Sequence, residues 1–135
     1  MVYAVIDTNI LVSAFISKNQ TSATKRVVRN IFSHNIKPLY NDEILAEYYD
    51  VLHRSKFHLE DSDIVELIDF IKQNGINSER FPYDDMMPDE DDRVFYEVAL
   101  TEEESFLVTG SLKHIPHTPQ VVTAAEIMEI LDNEL

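Results

Sequence analysis

The chain opens on a five-residue apolar run, Val2–Ile6, continuous and rich in branched side chains. That is the pattern of a strand covered on both faces in a parallel sheet. Ile10–Ile16 then reads as a short helix, and the polar stretch SKNQTS at 17–22 as a loop. A second helix, SATKRVVRNIFSHN, turns Val27, Val28 and Ile31 inward. Ile36–Tyr40 is a second strand, and its proline predicts an end or edge position. Asn41 caps a third helix, DEILAEYYDVLHR, whose first turn carries Asp42 and Glu43 where negative charge is favoured. A fourth helix, over 63–74, has Ile64, Leu67, Ile68 and Ile71 at helical spacing and stops at Gly75.

A third strand is expected over Asn77–Tyr83. The charged run DDMMPDEDD follows and leads into a helix at 91–103. SFLVT at 105–109 is a buried strand closed by Gly110, and the loop SLKHIPHTP precedes a short strand at Gln120–Val122. Thr123 and Glu126 match a capping box opening the last helix, whose inner face includes Ile127, Ile130 and Leu131. Strands alternating with helices from end to end predict an α/β fold, a parallel sheet in three layers with helices. At 135 residues the expectation is one domain, 1–135, with no internal repeat or linker.

Composition narrows the chemistry. With 44% apolar residues, the chain is globular in character, and no apolar run approaches the length that crosses a bilayer. The N-terminus also lacks a secretion signal, so a soluble cytoplasmic protein away from membranes is expected. No cysteine is present, which rules out disulfides, thiolate metal sites and a cysteine nucleophile. Only 2 glycines occur, too few for a glycine-rich phosphate cradle.

The formal charge is −14, but it is unevenly spread. From Thr8 to Asn41 there is no acid, and Lys18, Lys25, Arg26, Arg29 and Lys37 give that segment +5, which leaves −19 on the remainder. Such asymmetry fits two faces with different partners, and it also fits helix surfaces that merely need some charge.

Acids recur where strands end. In an open parallel sheet, ligands bind beyond the carboxyl ends of the strands. Asp7 follows the first strand directly; it could cap the next helix, although Thr8 and Asn9 could each do so and leave it spare. Glu47 lies three residues after Ile44 and four before Val51, on the side of the helix that carries Ile44, Leu45, Tyr48, Val51 and Leu52. A carboxylate beside an apolar stripe loses hydration and needs a cation or donors, unless it reaches out to water at the stripe's edge. Asp91 and Asp92 stand at the start of the helix whose apolar face is Val94, Phe95, Val98 and Ala99. Acids there are also favoured by the helix dipole alone, and Asp84, Asp85, Asp89 and Glu90 read as a solvated loop. Three separate elements nonetheless present acid to one rim. Such a cluster repels itself unless divalent cations occupy it, and oxygen donors without cysteine or a well-spaced histidine pair point to Mg²⁺ or Mn²⁺. His114 and His117 read as loop histidines within reach of a substrate.

IDTNILVSAF, LAEYYDVL, DEDDRVFYEVAL and FLVTGSLKH, in this order and spacing, resemble the PIN-domain nucleases, and within them the bacterial branch described as toxin components of toxin–antitoxin systems. The resemblance covers nearly the whole chain. It implies a parallel sheet between helices and metal-dependent cleavage of single-stranded RNA, leaving a 5′-phosphate and a 3′-hydroxyl. Position by position it implies Asp7 as the first acid, with Asn9 shaping the pocket, then Glu47, then Asp92, with Asp91 as the substitute. Many members have a further aspartate where this chain has Ser111, which puts a second metal position in doubt. The resulting expectation is that Asp7, Glu47 and Asp92 hold one Mg²⁺ or Mn²⁺, directly or through water. Lys18, Lys25, Arg26 and Arg29 would hold the RNA backbone, with Lys113 and His114 nearer the site. As partners the resemblance implies single-stranded RNA, an antitoxin inserting a segment into the acidic pocket, and homodimers as seen among relatives. Two other classes remain compatible with the residues: a binding module of the same fold with little catalysis, and an aspartyl phosphatase or receiver domain. The last fits less well, because Asn9 stands where such phosphatases carry a second aspartate.

Overall fold

A computed structural model describes residues 1–134. Its centre is β1, Val2–Ile6, buried except at Tyr3. The strand pairs in parallel with β2, Ile36–Tyr40, on one side and with β4, Phe106–Val108, on the other. A short β3, Ile76–Asn77, extends the sheet beyond β2, and β5, Val121–Val122, extends it beyond β4. The order is β3-β2-β1-β4-β5, parallel throughout, flanked by six helices. These are α1 Thr8–Ile16, α2 Ala23–Phe32, α3 Asp42–Leu52, α4 Asp61–Asn74, α5 Arg93–Ala99 and α6 Ala124–Asn133. One set of contacts runs α1 to α2 to α6, and another α4 to α3 to α5. The order reverses at β1, whose neighbours lead to opposite edges, so the carboxyl ends of β1 and β4 form the cleft of such sheets.

Several boundaries depart from expectation for identifiable reasons. The first helix starts at Thr8, two residues early, because Asp7 itself caps it. The second strand is internal rather than at the edge. Pro38 is tolerated because β3 covers only Leu39 and Tyr40, so at Pro38 the strand locally has one neighbour. The chain passes so close there that a Cβ on Gly75 would stand 2.5 Å from the Pro38 carbonyl oxygen, which is why helix α4 can hand over to β3 only through glycine.

The strand expected over Asn77–Tyr83 is mostly absent. After Ser78, whose N–H still reaches the Tyr40 carbonyl at 2.7 Å, the backbone donors turn to α5 instead. Phe81 donates to the Glu97 carbonyl at 3.0 Å, and Tyr83 donates to the Glu97 carboxylate at 2.9 Å. The helix expected over 91–103 is seven residues long, preceded by a 3₁₀ turn at Glu90–Asp92. Glu102 and Glu103 would have stood at its C-terminal end, where the helix dipole disfavours negative charge. The capping box at Thr123 and Glu126 is present in both directions, at 3.1 and 2.9 Å. Among the described residues no helix is long and apolar enough to cross a membrane.

Candidate functional site

Asp7 is the residue around which the rim is built. Its backbone N–H donates to the Val108 carbonyl at 2.9 Å, which continues the β1–β4 ladder by one step and fixes the carboxylate between the two strand ends. Only 4% of the residue is exposed. One carboxylate oxygen accepts from Thr109 Oγ1 at 2.6 Å, and the other accepts the cap N–H of Asn9 at 3.4 Å. Asp7 is therefore both cap and rim acid, not a spare. Burial pushes its pKa up, against the opposing pull of the Thr109 and backbone donors, and the charge of Asp89 pushes it further.

Glu47 reaches the same place from α3. The helix buries Ile44, Tyr48 and Leu52, and leaves Glu47 half-buried, one step off that stripe. Leu45 and Val51, expected inward, are likewise only half-buried. Thr8 Oγ1 donates to Glu47, so adjacent residues of the β1 exit are tied to β4 through Asp7 and to α3 through Thr8. Beneath them Tyr48, fully buried, donates its hydroxyl to the Ile6 carbonyl. Partial burial raises the Glu47 carboxyl, Thr8 opposes the rise, and the charges of Asp7 and Asp91 add to it.

Asp92 comes from the 3₁₀ turn ahead of α5. Its carboxyl is pushed up to about 6, first by burial, then by the charges of Asp7 and Asp89, with a smaller push from Glu47 and an opposing pull from His114. Asp91, its neighbour, is exposed, and its charge is felt at Glu47. Asp89, read from sequence as solvated loop, is exposed there; it accepts the Asp91 N–H at 3.0 Å, and its charge adds to the rise of Asp7 and Asp92. Asn9 is exposed above the cap. Ser111 is half-buried, and its N–H donates to Thr109 Oγ1 at 3.0 Å.

The basic residues divide. Lys25 and Arg29 line an open hollow of about 250 Å³ with Ala14, Phe15, Gln20 and Val28, and Arg29 donates to Gln20 at 3.2 Å. Arg26 faces away from that hollow and pairs with Asp132 of α6 at 3.6 Å, while Lys18 is exposed in the 17–22 loop. Lys113 and His114 lie in a short turn after β4, beside Gly110 and Ser111.

Sequence reasoning missed five residues that hold the site together. Thr109 and Thr8 act by hydrogen bonds across 102 and 39 residues of chain, which no periodicity signals. Glu97 and Arg80 fasten the segment that carries the acidic loop. Buried Glu97 accepts from Arg80 Nε at 2.7 Å, and Arg80 also reaches Glu43 at 2.9 Å. Arg93 adds a second clasp, donating to both oxygens of Glu90 and to the carbonyls of Tyr83 and Asp85. The one available signal was an acid, Glu97, inside the apolar face of α5. Glu97→Gln keeps the shape but removes the charge offered to Arg80 and replaces one of the two acceptor oxygens with a donor. It is expected to cost about 1–2 kcal/mol, a fall in Tm of roughly 5 °C by circular dichroism. An unchanged Tm would show that the clasp contributes nothing.

Asp7, Glu47 and Asp92 are thus electrostatic neighbours, each raised by burial and by the others' side of the rim. Among the described residues, no group of three or more acidic or histidine side chains is placed so as to hold a metal ion. The donor set is hard oxygen with strong mutual repulsion, and that suits a cation that keeps most of its water. Mg²⁺ is usually held in that way, by one or two carboxylates plus substrate oxygens. In donor chemistry alone, carboxylate oxygens without cysteine suit Mg²⁺ or Mn²⁺. The family model for the PIN domain matches residues 3–113 of the chain. No curated protein matches it.

Proposed function

The chain belongs to the PIN-domain family, whose members are generally nucleases, and on that premise we propose that it is an endoribonuclease dependent on Mg²⁺ or Mn²⁺ and acting on single-stranded RNA. One observation carries this reading: carboxylates from three elements gather at the reversal point of the sheet, with Asp7 and Asp92 each raised by burial and by acidic neighbours. A fold tolerates that cost where the charge has a task.

Asp7, Glu47 and Asp92 would hold the cation, with Asp91 at the solvent side. When bound, a divalent cation supplies positive charge against the attacked phosphodiester and acidifies the water that attacks it. The protein's own contribution is orientation. Thr109 and the Asn9 N–H fix the two oxygens of Asp7, and Thr8 fixes one oxygen of Glu47. Asp92, raised to about 6, holds a proton in mildly acidic solution and gives it up near neutrality, which sets the lower pH limit of cation binding. Lys18, Lys25 and Arg29 form the basic flank along which an RNA backbone runs. As the toxin of a toxin–antitoxin pair, the protein would be restrained by an antitoxin whose basic side chain satisfies these acids as a cation does.

The test is cleavage of a labelled single-stranded RNA in 1–5 mM Mn²⁺ (about the range that saturates weak carboxylate sites), beside duplex RNA and single-stranded DNA. Cleavage of the single-stranded RNA alone, abolished by EDTA, is the expected result. Intact RNA with a Tm still raised by Mn²⁺ would support a metal-binding module without catalysis instead.

A further inference from the structure

The acids occupy only part of the rim. Asp7 leaves β1, Glu47 comes from α3, and Asp89, Asp91 and Asp92 come from the approach to α5. The exit of β4 is chemically opposite: Thr109-Gly110-Ser111-Leu112-Lys113-His114 contains no acid and two basic side chains. A relay of donors ties this turn to the acidic side, from the Ser111 N–H to Thr109 Oγ1 at 3.0 Å and from that hydroxyl to Asp7 at 2.6 Å. Gly110 to His114 line an open hollow of about 320 Å³, and nothing lies within 4 Å of where a Cβ on Gly110 would be.

Lys113 and His114 are both exposed, and His114 is near enough to Asp92 for its charge to be felt there. Basic side chains beside so many carboxylates would ordinarily pair with one. Among the described residues, neither forms an ion pair. The turn thus presents two uncommitted cations beside an acidic rim to which Thr109 ties it. A phosphodiester held at the acidic rim would have its next negative charge beside this basic turn.

We propose that the 110–114 turn is an anion subsite that holds an RNA phosphate flanking the one to be cleaved, and that the site takes one divalent cation rather than two. The proposal rests on the nuclease reading above. Lys113 contributes a mobile point charge, His114 a ring N–H, and Ser111 its hydroxyl. An ammonium on that turn attracts phosphate and repels a second metal ion.

Lys113→Ala/His114→Ala tests it, since both side chains are exposed and the fold does not depend on them. Calorimetry should find one Mn²⁺ per chain in the unaltered protein and in the double variant, with Kd equal within twofold. Steady-state cleavage of a single-stranded RNA should show KM raised roughly 10-fold with kcat nearly unchanged, and a salt dependence of 1/KM shallower by about 1.4 for two lost contacts. Inhibition by inorganic phosphate should weaken by a similar factor. Normal Mn²⁺ binding with unchanged KM, salt slope and phosphate inhibition would overturn the subsite and leave the nuclease reading standing. Two Mn²⁺ per chain would overturn the single-ion claim. No Mn²⁺ uptake and no cleavage would overturn the nuclease reading, and the subsite with it.

Discussion

Asp7→Asn is expected to abolish Mn²⁺-dependent cleavage, by roughly 10³-fold or more, and at the same time to make the cation-free protein more stable. The two effects have one cause. Asp7 is 4% exposed, and burial pushes its carboxyl above the ordinary range. Ionised Asp7 is thus a cost that the fold carries at neutral pH, only partly offset by the Thr109 hydroxyl and the cap N–H of Asn9. Asparagine removes the charge and keeps one good acceptor. The acceptor turns to Thr109, whose hydrogen bond at 2.6 Å is the shorter of the two, and the weak cap contact at 3.4 Å is given up. The balance favours the variant by about 1 kcal/mol, a rise in Tm of roughly 3–5 °C.

Paired measurement of rate and Tm separates the reading from a structural one. A cap or packing residue loses stability when replaced, and its activity loss follows from unfolding. A site residue kept at a cost loses activity while stability rises. Asp7→Asn with full activity would remove Asp7 from the chemistry, and an inactive variant with a lower Tm would make it a structural residue.

Much of the molecule could be read in advance because its signals are local. Val2–Ile6 is apolar at every position, Asn41 and Thr123 cap helices by rules that span three residues, and Gly75 ends a helix. The acids that follow β1 and precede α5 were legible because a strand end and a helix start have fixed relations to a parallel sheet. Glu47 was legible from helix phase, although it stands at the edge of the buried stripe rather than within it. What escaped was non-local. The Asn77–Tyr83 segment has the composition of a strand, but Glu97, Arg80 and Arg93 recruit its backbone elsewhere, and Pro82 withholds a donor. Asp89 is loop charge as read, but nothing in PDEDD signals that its charge is felt at Asp7. Arg26 was grouped with Lys25 and Arg29 by sequence, yet those two stand four residues apart on one face of α2 while Arg26 is turned to another, and its partner Asp132 is over 100 residues away.

Mn²⁺ at 1 mM is expected to raise Tm by about 8–12 °C at pH 7.5, for a Kd near 10 µM, and by less than about 2 °C at pH 5. The sign follows from the raised carboxyls. Asp92 titrates near 6 in the fold, and Asp7 and Glu47 are raised in the same direction. Unfolded carboxyls titrate near 4, so between about pH 4 and 6 the cation-free fold binds more protons than the unfolded chain. The stability these groups provide is complete below that window and is lost as pH rises through it. Half-exposure of Asp92 and Glu47 screens the effect, leaving on the order of 1 kcal/mol per group. A divalent cation requires the opposite protonation, since it binds carboxylates after their protons leave. The cation-free Tm should therefore fall between pH 5 and 7.5 while the Mn²⁺ increment grows. The net charge of −14 alone would also lower Tm as pH rises, through general repulsion. Asp92→Asn distinguishes the two: it removes one titration from a background that is otherwise unchanged. If the acids are the ligands, this variant has a flatter cation-free profile and a Mn²⁺ increment reduced at every pH. A Mn²⁺ increment equal at pH 5 and 7.5, or one indifferent to Asp92→Asn, would mean that the ion binds somewhere other than this rim.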